Sequence, residues 1–136
     1  MSKIVSSFSS KDKVFETKIK GISLVRLKKF SEATGDTVRT YYENGMYYVP
    51  GVYLVAMFRH VVKKIGNENP EFPLKKLTSF YGGDRGGTKE NRVYLNQDLV
   101  YRMKYLSKDQ HKNQYMIEIS KDKKEIVLQG IFIFIE

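Results

Sequence analysis

The chain closes on EIVLQGIFIFIE (125–136), and its IFIFI run at 131–135 is apolar without interruption. A strand of this kind needs cover on both faces, because an exposed apolar edge invites pairing and aggregation. Just upstream, QYMIEIS (114–120) alternates, with Tyr115, Ile117 and Ile119 on one side, and the charged KDKK separates the two segments. Together they predict a C-terminal β-hairpin. A core strand is the expected role of IFIFI, and a dimer seam is the alternative. VFETKIK (14–20) alternates more weakly and predicts a short strand stopped by Gly21.

Helical spacing competes with this β signal elsewhere. Over 23–34, Leu24, Leu27, Phe30 and Ala33 form one stripe, with Ser23 as N-cap and Gly35 as the stop. A second, short helix is expected over 37–44, capped by Asp36-Thr37, burying Val38 and Tyr41 and ended by Gly45. MYYVP (46–50) favours an extended backbone. Pro50 then opens a helix over 51–65, in which Leu54, Met57, Phe58, Val61 and Ile65 share a face. Residues 96–107 predict a further helix, capped by Asn96, with Leu99, Met103 and Leu106 as its stripe.

These elements give an α+β fold in one chain of 136 residues, with 41% hydrophobic residues to fill a core. The expected organisation is a flexible tail at 1–12, a helical half at 13–66, a mobile Gly/Pro-containing connection at 67–90, and a packing or dimerisation half at 91–136. The connection holds Pro70, Pro73 and GGDRGG (82–87). Long connections are more often functional than not.

The net charge of +9 points to a polyanionic partner. The excess is concentrated early: residues 21–66 carry seven basic and three acidic side chains, whereas 67–90 carry four of each. With no Cys, disulfides and thiolate chemistry are excluded. With only His60 and His111, a three-His metal centre is excluded too. Neither histidine has a serine or carboxylate placed for a triad. The expectation is a protein without catalytic residues, metal or cofactor. No apolar run is long enough to span a bilayer and no signal-peptide pattern opens the chain, so a cytoplasmic location is expected.

The run Thr34-Gly35-Asp36-Thr37-Val38-Arg39-Thr40, inside LVRLKKFSEATGDTVRTYYENG (24–45), has the order of a helix-turn-helix. It resembles the DNA-binding helix-turn-helix of MerR-type regulators and phage excisionases, with MYYVP resembling their wing. KilA-N-like domains and homing-endonuclease arms place a hairpin beside similar helices. In this chain Tyr41 and Tyr42 replace the usual aliphatic and Arg of that pattern, and Ser31 replaces its small Ala. The resemblance implies a helix-turn-helix with a short wing and a supporting helix, followed by a helix and the hairpin. It implies binding to double-stranded DNA by a small phage or mobile-element repressor, dimeric on its site. Thr37, Arg39, Thr40 and Tyr42 would read bases. Lys28, Lys29, Arg59, Lys63, Lys64, Arg85 and Lys89 would hold phosphates. A protein-interaction module that inhibits an acidic host partner, and a single-stranded nucleic-acid binder using its tyrosines, are the rival expectations.

Overall fold

The computed structural model describes residues 6–82, 92–121 and 125–136. Strands hold more of these residues than helices do. β1 (Val14–Ile19) is followed by helix α1 (Leu24–Ala33) and a single 3-10 turn at Val38–Tyr41. Two short strands, β2 (Tyr42–Glu43) and β3 (Met46–Val49), lead to helices α2 (Gly51–Ala56) and α3 (Phe58–Glu68). β4 (Ser79–Gly82), β5 (Val93–Tyr94), β6 (Leu99–Asp109), β7 (Lys112–Lys121) and β8 (Ile126–Ile135) complete the chain.

Five strands form one antiparallel sheet in the order β1-β6-β7-β8-β4. Period-two burial sets its inner face. Phe15 and Ile19 of β1, Leu99, Tyr101 and Met103 of β6, Ile117 and Ile119 of β7, and Phe132 and Phe134 of β8 are all buried. α3 lies against that face with Phe58, Val61, Val62 and Ile65 buried. The Phe58 ring sits 4.9 Å from Phe132 and 6.1 Å from Tyr101, both edge-on, a favoured aromatic geometry. A smaller sheet, β2-β3-β5, stands beside this core. Its hairpin turns on Asn44 and Gly45, with φ of 53° and 81°, the positive-φ pair that a two-residue hairpin needs.

This architecture corrects the expected helix-turn-helix fold. α1 occupies the predicted 23–34 segment, with the Ser23 side chain accepting from the Arg26 amide at 3.3 Å. The second helix is absent: four residues make one 3-10 turn, and the chain then enters β2. Thr37, Val38 and Thr40 are β-branched and lose rotamer freedom in a helix, so local propensity works against one here. The supporting helix over 51–65 is two helices that meet at Met57, whose ψ is −4°.

The expected 96–107 helix is strand β6. Leu99, Met103 and Leu106 match a helical stripe, but Leu99, Tyr101 and Met103 match a strand as well. Tyr101, at 0% exposure, decides between them. Asn96 is no helix cap; its φ is 64° and its amide donates to the Ile22 carbonyl. Gly21 abuts this turn so closely that a Cβ would lie 2.2 Å from the Asn96 carbonyl carbon.

IFIFI lies in β8, paired on one side to β7 and on the other to β4. It therefore has no free edge to offer as a dimer seam. Phe132 and Phe134 face α3, whereas Ile131 on the outer face is 36% exposed. The 51–65 segment likewise spends the apolar face of α3 on the sheet.

Candidate active site

Gly35 turns the chain out of α1 with a φ of 82°. The Asp36 amide then donates to the Ser31 carbonyl at 2.7 Å, which fixes where Asp36 emerges. The 3-10 turn that follows brings Tyr41 back toward it. The Tyr41 hydroxyl donates to Asp36 Oδ2 at 3.1 Å, and Thr34 Oγ1 donates to the same oxygen at 3.5 Å. Asp36 is exposed, while Tyr41 is only 7% exposed. The pair thus joins a carboxylate open to solvent to a phenol set in the core. Burial, and then the Asp36 carboxylate beside it, push the Tyr41 phenol above its usual value. Tyr41 therefore stays protonated at neutral pH and keeps its proton directed at Asp36.

Aromatic rings frame the pair. The Tyr41 ring lies 6.5 Å from Phe30 and 6.0 Å from Tyr48. The Arg92 guanidinium stacks 3.7 Å from the Tyr48 ring centre and bonds Glu43 at 3.0 Å, which ties β3 and β2 to the start of β5. Phe30 also touches Tyr53 at 4.7 Å, and on that side a cleft of about 360 Å³ opens between α1 and α2. Arg26, Lys29, Phe30, Tyr53, Ala56 and Met57 line it. An apolar floor with two cations at the rim suits a ligand that has a hydrocarbon part and a negative end.

The residues expected to touch DNA do not converge. Thr37 is exposed just before the 3-10 turn, Arg39 and Thr40 are exposed on it, and the Thr40 carbonyl accepts from the Tyr48 hydroxyl at 3.4 Å. Tyr42 lies in β2, its ring 4.7 Å from Tyr47 across the hairpin. Lys28 and Lys29 are exposed on α1, and Lys63 is exposed on α3. Arg59 donates to the Leu77 carbonyl at 3.0 Å and to the Thr78 carbonyl, which fastens the 70–78 segment to α3. Lys64 turns away from the other cations and donates to Thr17 Oγ1, the Lys18 carbonyl and Glu68. Arg85 and Lys89, with most of the GGDRGG run, lie outside the described residues.

No family model matches the sequence, and no curated protein is similar to it in sequence. Solved structures are similar in fold. The monoamine oxidase regulatory protein from Archaeoglobus fulgidus superposes with a TM-score of 0.69 at 13% identity, over 90% of this chain and 87% of its own. The (R)-hydratase from A. caviae, involved in PHA biosynthesis, gives 0.62 at 9% identity, over 95% of this chain and 98% of its own. The HadBC (3R-hydroxyacyl-ACP dehydratase) complex from Mycobacterium tuberculosis gives 0.63 at 11%, over 93% and 98%.

This chain has the hotdog fold. That finding overturns the likeness to MerR-type, excisionase and KilA-N-like domains, and with it the DNA-binding repressor, its duplex partner and the rival readings. It also removes the basis for expecting a non-enzyme, because hydratases and dehydratases share the fold.

The hotdog chain's pair, Asp36 and Tyr41, is not among the residues singled out for function from sequence. Asp36 there is a helix cap and Tyr41 a core residue. Their five-residue separation signals nothing by itself; only the Gly35 bend followed by a 3-10 turn brings the two side chains together. Among the described residues no cluster of His, Asp and Glu could hold a metal ion, and no helix is long and apolar enough to cross a membrane.

Proposed function

We propose that this hotdog chain binds an acyl thioester and catalyses reversible addition of water across its α,β double bond. The observation that carries the reading is the Asp36–Tyr41 pair, one exposed carboxylate hydrogen-bonded to one buried, protonated phenol. The fold's occurrence in an (R)-hydratase and a hydroxyacyl-ACP dehydratase supports the substrate class.

The pair has the two functions that the reaction needs. Asp36 takes a proton from water, and the resulting hydroxide adds to C3 of the enoyl group. The electron pair of the double bond moves to C2, with the thioester carbonyl sharing the charge. Protonation of Asp36 removes the charge that held the Tyr41 hydrogen, and Tyr41 gives that proton to C2. Asp36, exposed to solvent, then releases its proton to water, the Tyr41 phenolate takes one back from solvent, and the pair is restored. Asp36 Oδ1 has no hydrogen-bond donor among the described residues, so it is free to meet the water. The cleft beside Phe30 and Tyr53 takes the apolar part of the substrate, and Arg26 and Lys29 meet its negative carrier.

Butenoyl-CoA is the test substrate. Loss of the conjugated enoyl absorbance without release of free thiol is expected. Thiol release without hydration would make the protein a thioesterase, and neither change would refute the reading. General acid–base groups contribute about 10²- to 10⁴-fold, and Asp36→Asn is expected to lose a factor in that range.

A further inference from the structure

The cations of this protein divide into two populations. On the sheet four of the six described are paired, Arg102 with Glu16, Lys104 with Asp12, Lys108 with Glu136, and Lys121 with Glu125, while Lys18 and Lys112 form no ion pair with a described residue. On the helix side most are not. Arg26 and Lys29 of α1, Arg59 and Lys63 of α3, and Lys75 and Lys76 beyond it form no ion pair with any described residue, and all six are exposed. The acids on that side do not offset them. Glu68 is taken by Lys64 and Glu71 by Lys13, which leaves Glu32 and Asp36. Two openings lie in this surface. One is the 360 Å³ cleft rimmed by Arg26 and Lys29. The other, about 410 Å³, runs between α3 and the 70–77 segment, where Arg59, Lys63 and Lys75 line it and no acidic residue does. The Ala56–Arg59 stretch joins the two. The helix face around these two openings is therefore rich in unpaired cations.

We infer that this surface docks an acidic acyl-carrier protein, which delivers the thioester to Asp36–Tyr41. The inference rests on the acyl-thioester reading above. A folded carrier with a negative surface can meet six cations spread over two helices and a loop, whereas one phosphate could meet only one opening. Interfaces of this type gain on-rate and selectivity from charge complementarity and weaken as salt screens it.

The test compares three carriers of one butenoyl group: an acidic acyl-carrier protein, CoA, and the short neutral thiol N-acetylcysteamine. Charge reversal at Lys63→Glu with Lys76→Glu is expected to raise KM for the protein-borne substrate about tenfold or more. KM for the neutral thioester should stay within about twofold in the same variant. Added salt should reproduce the variant's effect in the wild type. An unchanged KM on the carrier protein overturns the inference, as does an equal loss on the neutral thioester. An equal loss on CoA also overturns it, because the nucleotide phosphates would then be the counter-charge. If the wild type turns over none of the three, the hydration reading fails, and calorimetric binding of the unloaded carrier protein decides docking alone. Binding at low salt that the double variant abolishes sustains it; no binding overturns it.

Discussion

Tyr101 and Tyr115 are both fully buried in the sheet core, on neighbouring strands β6 and β7, yet their hydroxyls differ in one respect. The Tyr101 hydroxyl donates to the Leu54 carbonyl at 2.7 Å, in the last turn of α2, where carbonyls have no partner within that helix. The Tyr115 hydroxyl has no hydrogen-bond partner among the described residues. Burial raises the phenol of both, so both are neutral at ordinary pH. Removing one oxygen from each should therefore have opposite effects. Tyr101→Phe leaves a carbonyl unpaired in the core and should cost about 1–3 kcal/mol. Tyr115→Phe removes a buried group that gains nothing in return and should be neutral or stabilising by about 1 kcal/mol. At this chain length one kcal/mol corresponds to about 3–4 °C in Tm. Urea denaturation at neutral pH, with m unchanged, reads the difference directly. Equal losses in the two variants would refute the reasoning, since the Tyr115 hydroxyl would then have a partner, such as an ordered water.

Three further perturbations follow from particular contacts. Gly82→Ala would place a Cβ 2.0 Å from the buried Phe132 ring, so β4 must shift from β8; a loss of about 2 kcal/mol or more is expected in the same denaturation assay. The raised Tyr41 phenol contributes stability that is complete below the usual phenol value and is lost as pH rises through the raised one. Asp36→Asn should move Tyr41 tyrosinate formation to lower pH by ultraviolet titration, and no movement would deny the pair. Glu68 sits below the usual carboxylate range because Thr17 and then Lys64 hydrogen-bond it, so its contribution is present above that range and fades as pH falls through its lowered value. Carbon-13 NMR should show Thr17→Val shifting the Glu68 titration upward.

Some of this fold is legible in the residues. Alternation in QYMIEIS and the apolar IFIFI specify β7 and β8, and the Leu24–Leu27–Phe30 stripe between Ser23 and Gly35 specifies α1. Other parts resist reading because two periods fit the same letters. Residues 99–106 match a helix at every third or fourth position and a strand at every second. The outcome turned on Tyr101, a polar-tipped residue that is fully buried and hydrogen-bonded. The 34–40 run misleads for a different reason. A Gly turn after an amphipathic helix is common to many folds, and here it leads into a 3-10 turn and a hairpin. The candidate site was illegible because neither residue has an unusual neighbour in sequence: Asp36 matches a cap and Tyr41 a core aromatic, and only backbone geometry makes them partners. The charge imbalance over 21–66 is visible in sequence, but its segregation from the paired cations of the sheet is a property of the fold.

Deuterium incorporation from heavy water at C2 of a 3-hydroxyacyl thioester, followed by mass spectrometry, measures the proton transfer assigned to Asp36 and Tyr41. The wild-type chain is predicted to deliver one solvent deuteron to C2 with each hydration, and Asp36→Asn to deliver it at least about a hundredfold more slowly. Hydration that proceeds at the same rate in Asp36→Asn, or a wild-type product without deuterium at C2, would contradict the account.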